Sequence, residues 1–324
     1  LRNFFIAEKD YMNRFHIVVS NFKRVISFVD NFNKIHGFDP GQDSIYIFDC
    51  SPESVYQSEL MTANQLCSHS LEWNKNLFFI KRRNWAVNHG AQLDYFRAIL
   101  DGLIQPPKLI AFMQMHFLDL KKFVKEDTLP ENVIYDLDQI ARKFAYDPQI
   151  GCVFHSRYGV RVLTSNPVTE TAREFYGDGE NLLDKAVRRG FLIDGGNFIV
   201  RPELYLNWFT THRKYLTSGD GSYPFSIVWE GRLGQILYDQ KIKWCDMYRN
   251  LEYTTISDLD EIEQKLSRKV SKLWYDHRIW YFFYGRDQKL YWPFPLRSFI
   301  QYLRIYLVNQ KTYPRDTTLT FEKP

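Results

Sequence analysis

Pro107-Lys108-Leu109-Ile110-Ala111-Phe112-Met113-Gln114-Met115-His116-Phe117-Leu118-Asp119 is an apolar run that ends abruptly in polar groups. Bounded upstream by Gln105 and Pro106, it reads as a buried strand whose C-terminal end meets a site. In open α/β sheets, ligands collect outside the carboxyl ends of the strands. Gln114, His116 and Asp119 are therefore the first candidates. A core strand followed by an ordinary loop is the alternative reading of this stretch taken alone.

Upstream of this run, strand and helix signals alternate. Phe15 to Ser20 is a compact β-branched run and a good first strand. Apolar residues at 25, 26, 28, 29 and 32 follow with helical spacing. Ser44 to Asp49 predicts a second strand, and about Pro52 to Cys67 a second helix. Leu77 to Ile80 predicts a third strand. A basic loop (Lys81-Arg82-Arg83-Asn84), a polar turn (Asn88-His89-Gly90) and a helix from Gln92 to Leu103 come next. The fold class expected is α/β, a mainly parallel sheet flanked by helices, because parallel strands need crossover connections. Neither G-x-G-x-x-G nor G-x-x-x-x-G-K-[ST] occurs, so the dinucleotide fingerprint and the P-loop are excluded.

Past Asp119 the pattern loosens. A weak helix is expected over 131–144, a strand at Gly151 to Phe154, and a long polar loop over 165–181. Two apolar runs flank Asp194-Gly195-Gly196-Asn197. Helices are expected from Glu203 to Tyr215 and from Phe225 to Gln240. Residues 258–273 place acids first and bases last, as a solvated helix does. Residues 273–306 are rich in Trp, Tyr, Phe and Arg. The expected organisation is a domain over 1–250 and a helical, aromatic-rich C-terminal extension over 251–324. That extension packs on the domain, on a partner, or on an anionic membrane surface.

Composition bounds the rest. The 324 residues are 45% hydrophobic, 25% charged and 17% aromatic, an ordinary globular balance. A net charge of +4 does not point to nucleic acid. The four cysteines form no C-x-x-C pair, which suggests reduced thiols and a cytoplasmic protein. No apolar run is long enough to span a bilayer. Peripheral contact with the inner face of a membrane is one reading of the aromatic-basic C-terminus.

The order of features over roughly residues 15–240 resembles GT-A-type glycosyltransferases, especially bacterial surface-polysaccharide enzymes of the rhamnan-synthesis type. The residues carrying the resemblance are Val18-Val19-Ser20-Asn21, Ile47-Phe48-Asp49, the segment Asn84 to Asp94, the run ending at Asp119, Gly195 to Glu203, and Trp229 to Gly234. The resemblance implies a GT-A-like (Rossmann-like) fold and transfer from a nucleotide sugar to a glycan or lipid-linked acceptor, as in O-antigen or capsule synthesis. It sets Ser20, Asp49, Asn88, Gly90, Gln92, Asp94, Gln114, His116 and Arg201 as donor-binding residues.

Where the family carries Asp-x-Asp for a divalent metal, this chain reads Gln114-Met115-His116. Three alternatives stay open. His116 and Asp119 hold the metal (Mg or Mn); the chain uses Lys81, Arg82, Arg83 or Arg201 without metal; or activity is lost, leaving a silent nucleotide- or carbohydrate-binding domain. A hydroxyl acceptor also needs a base. Glu230 is the first candidate, with an ion pair to Arg232 or Arg201 as its alternative role. Asp194 is the second, with a turn role as its alternative. His89 reads equally as a core or loop histidine, and Asp49 and Asn88 as caps.

Overall fold

The computed structural model describes residues 14–21, 35–51, 57, 61, 76–82, 87–114, 135–154, 160–163, 190–193, 198–216, 229, 232–234, 236–237, 240, 242–247, 252–254 and 319–322. The expectations for 165–181 and 258–308, and for His116, Asp119, Asp194 and Glu230, lie outside these residues, as does most of the expected helices at 25–35 and 52–67.

Thirteen strands are described: β1 (Phe15–Asn21), β2 (Ile35–His36), β3 (Asp43–Asp49), β4 (Leu77–Lys81), β5 (Leu109–Gln114), β6 (Tyr135–Asp136), β7 (Ile150–Phe154), β8 (Val160–Leu163), β9 (Gly190–Ile193), β10 (Phe198–Val200), β11 (Lys243–Asp246), β12 (Glu252–Thr254) and β13 (Thr320–Glu322). Among the described residues, three α-helices have both ends described: α1 (Val87–Leu100), α2 (Leu137–Tyr146) and α3 (Pro202–Thr211). Nine strands form one sheet in the order β12-β11-β7-β10-β5-β1-β3-β4-β13. β4, β3, β1 and β5 are mutually parallel. β10 runs against both β5 and β7, and β11 lies parallel to β7. β12 and β13 add antiparallel at the two edges.

The expected mainly parallel sheet is therefore present, with strands at the stretches read from sequence. Near-continuous apolar runs such as His16-Ile17-Val18-Val19 mark strands covered on both faces. Their side chains sort by the two-residue period of a strand. Val18, Phe48, Ile80, Ile110, Phe112, Phe154, Phe198 and Val200 join one core with α1, α3 and Trp229. Phe15, Ile17, Val19, Ile47, Phe79, Ala111, Met113, Val153 and Ile199 join the other with Leu137, Ile140 and Phe144 of α2. Each such fully buried large side chain contributes about 1.5–3 kcal/mol.

The high aromatic content is concentrated in the first core. Phe96 of α1 lies 5.1 Å from Tyr205 and 5.2 Å from Phe209 of α3, centroid to centroid. Phe112 lies 5.1 Å from Phe198. Tyr205 donates its hydroxyl to the Leu233 carbonyl at 3.1 Å, tying α3 to the helical residues around Leu233. α1 stops before Gly102, whose φ of +77° suits a residue without a Cβ.

Several expectations change. Asn88-His89-Gly90, read as a turn, is the first turn of α1. Packing supplies the reason: His89, Gly90 and Ala91 are buried, and this outweighs their modest helix propensity. The second apolar run after Asn197 enters the main sheet as the reversed strand β10, whereas the first pairs with β8 in a separate two-stranded sheet. β12 and β13, at the two edges of the main sheet, come from Glu252–Thr254 and Thr320–Glu322. No helix among the described residues is long and apolar enough to cross a membrane.

The amino edge of the sheet is closed by one carboxylate. Asp43, fully buried, accepts from Arg14 Nε at 3.1 Å and Nη2 at 2.7 Å. It also accepts from the backbone N–H of Phe15 at 3.0 Å and of Asp39 at 2.8 Å. Arg14 reaches on to Asp138 and to the Gly37 carbonyl. Gly37 has φ +74°, and a Cβ there would stand 2.8 Å from Asp138 Cγ. Only glycine lets the turn after β2 approach the start of α2 so closely.

Candidate functional site

The chain runs from β1 outward to β3 and β4, then returns to β5 on the other side of β1. That reversal makes β1 the topological switch point, where the carboxyl ends of the strands leave a crevice. The strand register shows which residues meet there. Asn21 stands opposite Asp49, Asp49 opposite Lys81, and Ser20 opposite Gln114. β10, being reversed, begins at this same edge, with Phe198 opposite Phe112 and Phe154. The residues just before it, Asp194 to Asn197, lie outside the described residues.

Asp49 is fully buried. Its Oδ1 accepts from the Ser51 N–H at 2.6 Å, and its Oδ2 from the Asn21 side-chain amide. The first bond is a short side-chain-to-backbone turn of the kind aspartate favours. Cys50 N–H donates to the Asn21 carbonyl at 3.2 Å, and the Cys50 thiol reaches the same oxygen at 3.4 Å. The tips of β1 and β3 are thus laced together. Arg82, directly after β4, donates its backbone N–H to the Asp49 carbonyl at 2.9 Å. Its guanidinium pairs with Asp94 of α1, Nε to Oδ2 at 2.7 Å. Arg97, one turn further along α1, stands 3.3 Å from the other oxygen of Asp94. Burial pushes the Cys50 thiol up, and the nearby Arg82 charge acts in the opposite direction.

Of the residues chosen from sequence, Ser20, Asp49 and Gln114 gather at this edge by strand register. Asn88, Gly90, Gln92 and Asp94 fall in the first half of α1, which follows β4. Gly90, Gln92 and Asp94 are buried; for Asn88 and Gln114 the backbone alone is described. His89 is buried, and burial lowers its pKa to about 3, which keeps the imidazole neutral.

Arg201 is not brought to this edge. It follows the C-terminal end of the reversed strand β10 and therefore stands at the amino edge. There it donates to the Ile150 and Phe144 carbonyls, each at 2.8 Å, and lies 5.0 Å from the Phe144 ring centre. It satisfies the last turn of α2 and the start of β7.

Four residues of the site escaped the sequence reading as roles: Asn21, Ser51, Arg82 as a partner of Asp94, and Asp246. The last ends β11 opposite Phe154 and is fully buried. An acid or amide closing an apolar strand, as in Asn21 and Asp246, was the available signal. The Arg82–Asp94 pairing had none, since it depends on α1 folding back onto the sheet.

A divalent cation needs several oxygen or nitrogen ligands with free lone pairs. Both oxygens of Asp49 accept hydrogen bonds and both oxygens of Asp94 face guanidinium groups. Among the described residues, no group of three or more His, Cys, Asp or Glu is placed to hold a metal ion.

No family model matches the sequence, and no curated protein does so. Among solved structures, the chain is similar to S. aureus TarS 1-349, at 9% identity and a TM-score of 0.33, over 68% of this chain and 56% of that one. It matches a second S. aureus TarS structure equally over 68% of its length, spanning 34% of that chain. It is also similar to the mannosyltransferase PcManGT from Pyrobaculum calidifontis in complex with GDP-Man and Mn2+. There the identity is 12%, the TM-score 0.30, and the coverage 94% of this chain and 89% of that one. Likenesses this slight assign no role to any residue of the chain.

Proposed function

We propose that this chain is a glycosyltransferase that moves a sugar from a nucleotide-sugar donor to a glycan or lipid-linked acceptor in polysaccharide synthesis. One observation carries the reading. At the switch point of a mainly parallel sheet, Lys81, Asp49, Asn21, Ser20 and Gln114 line one edge in register, and the reversed β10 begins beside them. This is the edge at which open α/β sheets take nucleotides. The strands ending at Asn21, Asp49 and Gln114, three of the stretches that carry the GT-A resemblance, end there.

The chemistry follows from the donor. Departure of a nucleoside diphosphate requires its developing charge to be neutralised. The described residues do not form a cation site, so a divalent ion, Mg or Mn, would rest on His116 and Asp119. Lys81, next to the edge, supplies charge without metal. Glu230, next in sequence to the buried Trp229, is the proposed base for the acceptor hydroxyl, and Asp194, in the segment leading into β10, the second candidate.

Calorimetry with UDP-, GDP-, CMP- and dTDP-linked sugars tests the reading, and the absence of binding to any of them overturns it. Transfer and donor hydrolysis measured with and without EDTA decide between metal-dependent and metal-independent neutralisation. Glu230→Ala is expected to cut turnover by about 100-fold or more with donor affinity intact; full turnover in that variant removes Glu230 as the base. Binding without any turnover favours a silent nucleotide-binding domain, the reading that an amide at the end of β5 supports.

A further inference from the structure

Asp94 lies among the donor-binding candidates by sequence, yet it is 1% exposed; its Oδ2 accepts from Arg82 at 2.7 Å and its Oδ1 stands 3.3 Å from Arg97. What it holds is informative. Arg82, itself buried, links Asp94 on α1 to the end of β3: its guanidinium holds Asp94, and its backbone N–H donates to the Asp49 carbonyl. Cys50 reaches the Asn21 carbonyl, and the Asn21 amide reaches Asp49. A buried chain of contacts thus runs from Arg97 through Asp94 and Arg82 to Asp49, which the Asn21 amide also holds. It contains two guanidinium groups and two carboxylates.

We infer that Asp94 is a positioning residue: through Arg82 it sets the Asp49-Cys50-Ser51 turn at the switch point in the geometry that receives the donor nucleotide. This deepens the proposed function and rests on it. An aspartate facing two buried arginines holds one of them by a short charge-assisted bond at 2.7 Å. Buried networks of this kind transmit the loss of one member to the rest, which double-mutant cycles detect. Without Asp94, Arg82 has no carboxylate fixing its Nε, and the turn it braces loses its backstop. The effect belongs to donor binding, because the chain of contacts ends at the strand tips and includes no candidate base.

The test is a double-mutant cycle on the full chain, with donor affinity read by calorimetry and with donor KM and kcat read separately. Asp94→Asn is expected to weaken donor binding at least tenfold and raise donor KM to match, with kcat within about threefold of the parent. Arg82→Gln is expected to weaken binding similarly. The double variant Arg82→Gln with Asp94→Asn, which replaces the ion pair by two amides, is expected to bind no worse than Arg82→Gln alone. Arg82→Lys is expected to recover part of the affinity only while Asp94 is present.

If Asp94→Asn fails to fold, comparing the double variant with Arg82→Gln carries the test by itself. Additive losses in the double variant, unchanged donor affinity in Asp94→Asn, or an equal fall in kcat without a KM change would overturn the inference. A parent protein that binds no nucleotide sugar overturns the proposed function instead, which keeps the two failures distinct.

Discussion

At the amino edge of the sheet, Asp43 takes four hydrogen bonds, two from Arg14 and two from backbone N–H groups of Phe15 and Asp39. At the carboxyl edge, Asp94 faces two arginines, and Arg82 carries the connection on to a turn that opens toward the switch point. Both aspartates are buried and both pair with arginine. The first pair ties together the starts of β1 and β3, the turn after β2 and Asp138 of α2, all at the amino edge. The second joins α1 to the carboxyl end of β3, through Arg82 and its backbone N–H on the Asp49 carbonyl. The contrast teaches that a buried ion pair has no single meaning in this fold: where its bonds lead decides whether it closes an edge or shapes a site.

The largest expected effect tests the closed edge. Asp43→Ala leaves the Arg14 guanidinium and two backbone donors without their carboxylate, and is expected to lose about 3–5 kcal/mol of stability, measured by urea unfolding. Donor affinity of the folded fraction should stay unchanged. A loss of donor affinity there would erase the distinction between the edges.

Acidification comes next. His16, near the start of β1, and His89, in the first turn of α1, are both held neutral by burial, each with its pKa lowered from 6.5 to about 3. Between those values the unfolded chain binds protons that the folded chain does not. The stability they confer is therefore full above pH 6.5 and falls as the pH drops toward 3. The fall is about 1.4 kcal/mol per pH unit for each histidine. Denaturation followed between pH 6.5 and 5.5 should show a loss of about 1 kcal/mol per histidine, the slope still steepening toward its full value, and one histidine's share less in His16→Gln; a flat profile would contradict the burial of both rings.

The smallest effect concerns Arg201. Arg201→Gln is expected to cost about 1–2 kcal/mol through its lost bonds to the Phe144 and Ile150 carbonyls. Donor KM should not move. A raised KM would return Arg201 to the donor site and break the assignment of the two edges.

Much of the architecture was legible in the chain because it is local. Phe15–Asn21, Asp43–Asp49, Leu77–Lys81 and Leu109–Gln114 are short apolar runs separated by crossover-length segments, and each became a parallel strand. Ser20, Asp49 and Gln114 could be singled out because each ends or nearly ends such a run. Other features depend on partners far away in sequence. Nothing local to Phe198–Val200 says that it inserts, reversed, between β5 and β7. Nothing in Thr320–Glu322 says that it pairs with β4.

The sequence by itself determined where the four parallel strands around the switch point lie and which polar residues stand at their ends. Hydrophobic periodicity and turn chemistry are written residue by residue. Only the tertiary structure decided what those polar residues do. It sent Arg201 to the amino edge because β10 is reversed, and it set Asp94 behind Arg82 because α1 folds back across the sheet. A side chain's neighbours, and hence its chemistry, are fixed by contacts between elements that no stretch of sequence contains alone. The run ending at Gln114 shows both halves: its apolar residues specified a strand, and the sheet order placed its end beside Ser20 at the switch point.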